Sequence, residues 1–497
     1  MSAASAVAER TELSLVEQRR MIDALRGVLG ATQLIETHIS CVLLTGSVAY
    51  KLKKAVSLPF LDFHTLDARR RYCQKELRIN RAFAPELYLE VVPITGSPEA
   101  PRKGGDGPVL DYALVMREFA QEALASHALE HGRIDARWVD DLAQGVADAH
   151  LGAAVHVERG DPRAILAYAL RNVDLIGRTM PGERLQALEE WTRAHHAAIE
   201  GTLAQRRSAG FVRACHGDLH LGNIATVDGI PRAFDAIEFD DDLRLIDVMS
   251  DVAFLVMDFR YRGRADLGAR FLDRYLAITG DYDGLAVFRF YAVYRALVRA
   301  MVACERVRQG NDVETARAEA RRYVDLASEL ASPPPPSLVV THGFSGSGKT
   351  TGSQPMLERM GAIRIRTDVE RKRLHGMSPT QRRADDALYR DDVTRATYQR
   401  ARDLAQAVLA AGFTAIVDGT FLRRWQRDLF ASLAREAGVA FAIAAFECDE
   451  AVLRERVAAR AARADDASDA GLAVLDAQLR HHDPLGPDEQ PHVIRPG

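Results

Sequence analysis

The chain has 497 residues, of which 47% are hydrophobic and 27% are charged. This length exceeds that of one ordinary domain, and the composition is typical of a globular protein that buries full cores. The net charge of −4 at pH 7 excludes a general attraction to nucleic acid or to an anionic membrane surface. The five cysteines are widely spaced, and no run approaches the ~18 apolar residues of a membrane span. We therefore predict a cytoplasmic protein with reduced thiols and no membrane segment.

The first 330 residues combine strands early with helices late. Helix 17–28 precedes two strands, 38–44 and 48–56, which Thr45-Gly46-Ser47 joins as a hairpin turn. The pattern continues with a charged helix at 69–82, strands at 87–94 and 112–119, mostly helices to about 206, a short strand at 233–239 and mostly helices over 245–331. This order predicts an α+β unit with two lobes.

A proline-rich segment marks the boundary between two domains. Residues 331–337 read A-S-P-P-P-P-S. Consecutive prolines do not fit a helix or a central strand, so the segment is predicted to be a stiff, extended linker. We therefore predict one domain at 1–330 and a second at 338–497.

The segment 216–223, H-G-D-L-H-L-G-N, carries residues suited to phosphoryl transfer. Asp218 could accept the proton of a substrate hydroxyl, and the amide oxygen of Asn223 could ligate Mg²⁺. Twelve residues later, the predicted strand 233–239 supplies Asp235, a second carboxylate suited to the metal. The pattern predicts a metal-dependent phosphotransferase centre.

This pattern resembles the aminoglycoside phosphotransferase and choline kinase group, which implies a protein-kinase-like fold. Residues 48–51, V-A-Y-K, look like the strand whose lysine pairs with nucleotide phosphates, which assigns Lys51 to ATP; Lys53 remains an alternative. Glu76 is similar to the glutamate that holds that lysine, and 116–119 would be the hinge beside the adenine. The chain departs from the group because only Thr45-Gly46-Ser47, and no G-x-G-x-x-G, precedes Lys51. A kinase-like domain without activity is the alternative.

The segment 343–350, G-F-S-G-S-G-K-T, fits the phosphate-binding loop G-x-x-x-x-G-K-[ST]. A β-branched run at 338–341 predicts the strand before it, and 351–360 can continue as a helix. Lys349 would reach the β- and γ-phosphates of ATP, and the hydroxyl of Thr350 would ligate Mg²⁺. The residues predicted to bind the nucleotide here are Gly343, Ser345, Gly346, Ser347, Gly348, Lys349, Thr350 and Thr351.

Further polar residues follow the loop in a fixed order. A strand at 362–367 ends in Asp368, a candidate base, with Arg371 one helical turn later. A strand at 414–417 ends in Asp418, a candidate Mg²⁺ ligand. A predicted helix, 452–463, places Arg456, Arg460 and Arg463 on one face as a lid over the phosphates, with Arg460 as the catalytic candidate. Strand-end aspartates also cap helices, and arginine-rich helices are also solvated faces; the order of these features favours a kinase.

The second domain resembles small P-loop kinases: gluconate kinase-like, chloramphenicol phosphotransferase-like and polynucleotide 5′-hydroxyl kinase-like domains. This resemblance implies an α/β domain with a parallel sheet. The chain as a whole resembles the bifunctional phosphotransferase/ATP-binding proteins, which implies ATP- and Mg²⁺-dependent transfer to a hydroxyl of a small-molecule acceptor. A polynucleotide end as acceptor stays open, and a regulatory ATPase with an inactive first domain is the alternative. The motifs give neither the acceptor nor the oligomeric state.

Overall fold

The structure is a computed structural model that describes residues 12–58, 61–378, 381, 390–463 and 470–496. The chain divides into two units. The first comprises the described residues up to Asp135, together with Asp148–Arg159 and Arg213–Ile246; the second comprises Ala136–Ala147, Gly160–Val212 and the described residues from Asp247 onward. No helix in these ranges is both long enough and apolar enough to cross a membrane.

The first unit is built on a six-stranded antiparallel sheet with the strand order β1-β2-β3-β8-β6-β7. Its elements are α1 Leu15–Val28, β1 Gln33–Glu36, β2 Ser40–Leu44, β3 Val48–Lys53, β4 Ser57–Leu58, β5 Leu61–Asp62, α2 Leu66–Asn80, β6 Tyr88–Ser97, β7 Ala100–Lys103, β8 Val109–Arg117 and α3 Ala125–Glu130. Helix α4, Ala136–Gly152, and strand β9, Val212–Ala214, run across the division between the units; β10 Ile224–Val227 and β11 Ile230–Ala233 follow, and β12 is Leu245–Asp247.

Strand β3 carries apolar side chains on one face and charged side chains on the other, because successive residues of a strand point to opposite faces. Tyr50 and Leu52 pack into a core with Met21 of α1, so Lys51 and Lys53 point to the opposite face. The predicted hairpin is confirmed, because β2 and β3 pair in antiparallel register up to Leu44 and Ala49. Alternation along β3 therefore delivers both lysines to one side of the sheet.

The predicted strand 233–239 is wrong. Strand β11 ends at Ala233 and pairs with β10, with Ala233 opposite Ile224. Asp235 has a positive φ of 61°, which a continuous strand does not allow. Its backbone N–H donates to the Tyr88 hydroxyl at 2.9 Å instead of to a neighbouring strand.

The second unit contains a five-stranded parallel sheet with the order β14-β15-β13-β16-β17, and a parallel sheet is what the resemblance to P-loop kinases implies. Its helices are α5 Pro162–Gly177, α6 Glu183–Ser208, α7 Val248–Tyr261, α8 Ala265–Thr279, α9 Leu285–Arg308, α10 Val313–Ala331, α11 Lys349–Met360, α12 Thr367–Leu374, α13 Asp391–Ala410, α14 Arg424–Ala437, α15 Glu450–Arg463 and α16 Leu472–Arg480. Its strands are β13 Ser337–His342, β14 Ile363–Arg366, β15 Ala415–Asp418, β16 Ala440–Ala445 and β17 Val493–Ile494.

Helix α8 shares a hydrophobic core with this parallel sheet. Ala269 packs with Val339 of β13, Leu357 of α11 and Ile416 of β15. The proline segment connects α10 to β13, and the helices before it and the sheet after it belong to one unit. The predicted boundary at 331–337 therefore falls at the change from helices to sheet, inside this unit.

Candidate active sites

Asp218 is fixed by the loop that the sequence pattern singled out. The amide nitrogen of Asn223 donates to Asp218 Oδ2 at 2.9 Å and to its backbone carbonyl at 3.0 Å. Buried His216 accepts the Asp218 N–H through Nδ1, so its Nε2 donates to the carbonyl of Phe234 at 2.9 Å. The Asp218 side chain keeps 37% of its surface exposed. The loop therefore presents a positioned carboxylate to solvent.

The β10–β11 hairpin places Asn223 and Asp235 at the same end of two paired strands. Asn223 directly precedes β10, and its carbonyl accepts the N–H of Phe234, the residue before Asp235. The twelve-residue spacing is thus the length of one hairpin. The amide nitrogen of Asn223 donates to Asp218, so its amide oxygen is the side-chain atom that could ligate a cation.

Two lysines share one buried glutamate on the inner face of β3. Lys51 Nζ lies 2.7 Å from Glu76 Oε1 and 2.5 Å from Asp235 Oδ1. Lys53 Nζ lies 2.7 Å from Glu76 Oε2 and also contacts Glu238. The Lys51 side chain is 13% exposed and that of Lys53 is 1% exposed. Lys51 therefore lies at the surface of the cluster, and Lys53 lies inside it.

The charges of this cluster shift its pKa values strongly. Burial alone would raise the pKa of Glu76, but the ammonium groups of Lys51 and Lys53 lower it to about 2. Burial opposes the charged form of both lysines, yet the surrounding carboxylates raise both lysine pKa values above the usual range. Both lysines and Glu76 are consequently charged at neutral pH.

The turn between β2 and β3 is held by an acidic side chain. Glu118, directly after β8, accepts the backbone N–H groups of Thr45 at 2.9 Å and of Gly46 at 2.8 Å. These are the N–H groups of the short turn that stands where kinase-like proteins carry a glycine-rich nucleotide cover. A carboxylate of the chain itself thus occupies an anion-binding turn.

The phosphate loop lies between β13 and α11, as predicted. The hydroxyl of Thr350 donates to Asp418 Oδ2 at 2.7 Å, and Thr341 of β13 approaches Oδ1 of the same carboxylate at 3.4 Å. Lys349 Nζ donates to the carbonyl of Phe344, in the same loop, at 2.7 Å. Parallel pairing of β13 with β15 brings the two strand ends together, which explains why residues 68 positions apart meet.

Glycine is required in the loop by its backbone shape. Gly346 has a φ of 87°, and a Cβ there would lie 2.9 Å from the carbonyl of Leu453. Gly348 is left-handed at the start of α11, and Gly343 also has a positive φ. Ser345 and Ser347 are buried loop side chains, whereas Thr351 is exposed on α11. Gly346 therefore cannot carry a side chain unless the loop or Leu453 shifts.

The predicted base Asp368 lies in the first turn of α12, because β14 ends at Arg366. This corrects the prediction that Asp368 ends the strand. Arg371 Nη1 lies 2.7 Å from Asp368 Oδ1, so these two residues are in contact as their spacing predicted. Arg456 of α15 reaches the carbonyl of Gly346 at 3.4 Å. Helix α15 extends to Arg463, but the side chains of Arg460 and Arg463 lie outside the described residues.

Several polar residues at these sites were not predicted. Gln478 of α16 binds Ser345 twice, through the backbone N–H at 2.9 Å and the hydroxyl at 3.0 Å. Glu238 completes the lysine cluster, and Arg364 holds the start of α11. No motif marks Gln478 or Arg364. The pair Asp235 and Glu238 in A-F-D-A-I-E-F could have been recognised as two carboxylates on one short segment.

Family models match both regions. The model of the Phosphotransferase enzyme family matches residues 60–291, and that of an AAA domain matches residues 338–485. Together with the lysine–glutamate cluster, the Asp218 loop and the phosphate loop, these matches define the class: a protein-kinase-like phosphotransferase region fused to a P-loop kinase-like region.

Solved structures with detectable similarity include three kinases and phosphotransferases. A choline/ethanolamine kinase family protein from Mesorhizobium loti is 15% identical, covers 63% of this chain and 96% of its own, and gives a TM-score of 0.43. The GDP complex of aminoglycoside 2′-phosphotransferase-IIIa is 13% identical, with coverage of 64% and 99% and a TM-score of 0.40. A sugar kinase from Janibacter sp. is 22% identical, with coverage of 32% and 84% and a TM-score of 0.26.

Relatives that match most of the chain occur in mycobacteria. Uncharacterized proteins of Mycobacterium tuberculosis and Mycobacterium bovis are each 31% identical over 458 residues, which is 89% of this chain and 89% of theirs. The chain belongs to the same family as these proteins, and in this chain the phosphotransferase region precedes the AAA-domain region.

Proposed function

We propose that this protein is an ATP- and Mg²⁺-dependent phosphotransferase with two nucleotide sites, which transfers the γ-phosphate to a hydroxyl of a small-molecule acceptor. The observation that carries the proposal is that each centre combines three elements: a lysine for phosphate, oxygen ligands for a cation and a separate carboxylate. Such a division of tasks suits phosphoryl transfer, in which catalysis rests on positioning and charge stabilisation.

At the first centre, Lys51 would hold phosphate and Asp218 would accept the proton of the acceptor hydroxyl. The fit to magnesium rests on the donor set, since the carboxylate of Asp235 and the amide oxygen of Asn223 are the hard oxygen ligands that Mg²⁺ prefers. Mg²⁺ bound there would neutralise charge on the nucleotide phosphates. Asp218 stands apart as the carboxylate that its own loop holds towards solvent.

At the second centre, Lys349 and the loop N–H groups would hold the phosphates. The hydroxyl of Thr350 and the carboxylate of Asp418 lie in direct contact, an oxygen pair that fits magnesium. Asp368 is proposed to take the acceptor proton while Arg371 fixes its orientation at 2.7 Å. Arg456 already reaches the loop, which supports α15 as the cover of this site.

A second candidate function is a regulatory nucleotide site in place of the first catalytic centre. It is favoured by Glu118, which occupies the backbone N–H groups of Thr45 and Gly46. If that carboxylate excludes phosphate, Glu118→Gln should increase ATP affinity at the first site severalfold without creating transfer. Isothermal titration of that variant, with Glu122→Gln as the matched control beside it in sequence, measures the effect.

The proposed activity is tested with [γ-³²P]ATP, Mg²⁺ and a small-molecule extract offered to the full chain. Labelled acceptor products should appear with the wild type. Asp218→Asn should remove one set of products and Asp368→Ala another, while both variants still bind ATP, because neither change touches the phosphate-holding groups. Asp392→Asn, which changes a surface aspartate paired with Arg390, is the control. Undiminished transfer in the double variant would rule out both assigned bases.

A further inference from the structure

Buried Arg364 of β14 connects two helices of the second unit. Its Nη1 donates to the backbone carbonyl of Thr350 at 2.9 Å and to Ser353 Oγ at 3.3 Å, and its Nη2 donates to Gln354 Oε1 at 2.7 Å. All three acceptors lie in the first turns of α11. On its other side, Nη2 lies 3.2 Å from Asp273 Oδ2 of α8. The guanidinium therefore bridges the helix of the phosphate loop and α8.

Asp273 also holds the strand that carries Arg364. Its Oδ1 accepts the backbone N–H of Arg364 at 2.9 Å, so one carboxylate binds both the main chain and the side chain of this residue. Asp273 and Arg364 are both less than 10% exposed. A buried, charge-assisted contact of this kind is sensitive to loss of either partner.

Thr350, which accepts a hydrogen bond from Arg364, also contacts Asp418. Thr350 gives its carbonyl to Arg364 and its hydroxyl to Asp418. Rotation or displacement of the first turn of α11 would therefore move the hydroxyl that is proposed to ligate Mg²⁺. A salt bridge from Arg270 of α8 to Glu358, 3.1 Å long, ties the far end of α11 to the same helix.

Helix α8 belongs to the residues that the Phosphotransferase enzyme family model matches, 60–291. We propose that Asp273 and Arg364 are positioning residues for the P-loop site: through them, a helix of the phosphotransferase region sets the position of Thr350 and so the affinity for Mg²⁺·ATP. This inference rests on the proposed nucleotide binding at the phosphate loop. It adds that the loop depends on a segment outside the region that carries its motif.

The test uses the full chain with Lys51→Ala as the parent, so that binding reports on the P-loop site. In this parent, Asp273→Asn should raise the Kd of Mg²⁺·ATP at least about tenfold at 20 °C, because Arg364 loses its charged anchor. The ratio of Kd values without and with Mg²⁺ should also fall, since the hydroxyl of Thr350 is displaced. Arg364→Lys keeps the positive charge but loses the paired donors of the guanidinium, so it should also raise the Kd of Mg²⁺·ATP.

Two controls separate positioning from stability. Asp266→Asn changes a partly exposed aspartate of the same helix, paired with Arg264 at 2.7 Å, and should leave Kd unchanged. Arg289→Gln removes contacts of α9 with the carbonyls of Leu330 and Gly412 without touching α11, so it should lower Tm and spare Kd.

The possible outcomes distinguish the inference from the function on which it rests. A parent that fails to bind Mg²⁺·ATP overturns the proposed nucleotide site itself. A parent that binds, with Asp273→Asn and Arg364→Lys both within twofold of its Kd, overturns the positioning role alone. An equal loss of affinity in Arg289→Gln also overturns it, because general destabilisation would then explain the effect.

Discussion

Lys51 and Lys53 share Glu76, yet their surroundings suit them to different tasks. Lys51 contacts the half-exposed carboxylate of Asp235, whereas Lys53 lies between two buried carboxylates, Glu76 and Glu238. We therefore propose that Lys51 binds phosphate and that Lys53 maintains the cluster. The sequence left this choice open because both residues occupy the same face of β3.

The two lysines should respond differently to truncation. Lys53→Ala leaves two buried carboxylates with one cation fewer, and we expect a loss of about 3 kcal/mol or more in the free energy of unfolding. Lys51→Ala should lose less stability but weaken ATP binding at the first site. Urea unfolding and calorimetric titration measure the two quantities, with Lys54→Ala, whose partner Glu36 lies outside the cluster, as control. The assignment would be reversed if Lys53→Ala were the stable variant that fails to bind ATP.

Because of Glu76, the free energy of unfolding of the first unit should depend on pH in the acidic range. Its pKa is about 2 in the folded protein against an ordinary value of 4.5, chiefly because the lysines outweigh the effect of burial. A carboxyl with a lowered pKa stabilises the fold above its ordinary pKa, and this contribution is lost as the pH falls towards the folded value. Glu76→Gln should therefore be less stable at pH 6, and its deficit should shrink between about pH 4.5 and 2. Urea unfolding across this range measures the deficit; a deficit that stays constant would refute the ionised Glu76.

At the scale of single elements, the phosphate loop is the feature most tightly specified by sequence. Gly346→Ala should abolish nucleotide binding at the P-loop site, because the new Cβ meets the carbonyl of Leu453 in a backbone conformation that already disfavours side chains. Gly361→Ala is the matched control: Gly361 ends the same helix with a φ of 59°, and its added Cβ would meet no atom within 4 Å. Both variants share the conformational strain, and only Gly346→Ala should lose binding in calorimetric titration. Equal binding by the two variants would contradict the loop geometry.

Elements with strong local patterns were predicted well, and elements set by tertiary contacts were not. The β2–β3 hairpin, β13, α11 and β15 follow directly from turn residues, β-branched runs and the loop motif. The segment after Ala233 has an equally apolar pattern, but Tyr88 and Asn80 take the backbone N–H groups of Asp235 and Ala236 and redirect the chain. These partners lie about 150 residues earlier, so no local pattern contains them.

At the scale of the whole molecule, the proline segment divides the sequence into two regions, but contacts join residues on its two sides. The prolines mark the end of α10, but Ala269 and Asp273, well before them, pack against or hydrogen-bond to the parallel sheet. A fragment that begins at residue 338 would lack these contacts. The P-loop site is therefore best studied in the full chain.

We propose that one chain carries two separate nucleotide sites. Equilibrium titration of the full chain with Mg²⁺·ATP tests it most directly, because it requires no knowledge of the acceptor. We predict two nucleotides bound per wild-type chain, one in Lys349→Ala, one in Lys51→Ala and none in the double variant, with Lys54→Ala still binding two. A wild-type chain that binds a single nucleotide, or a Lys349→Ala variant that still binds two, would contradict the account.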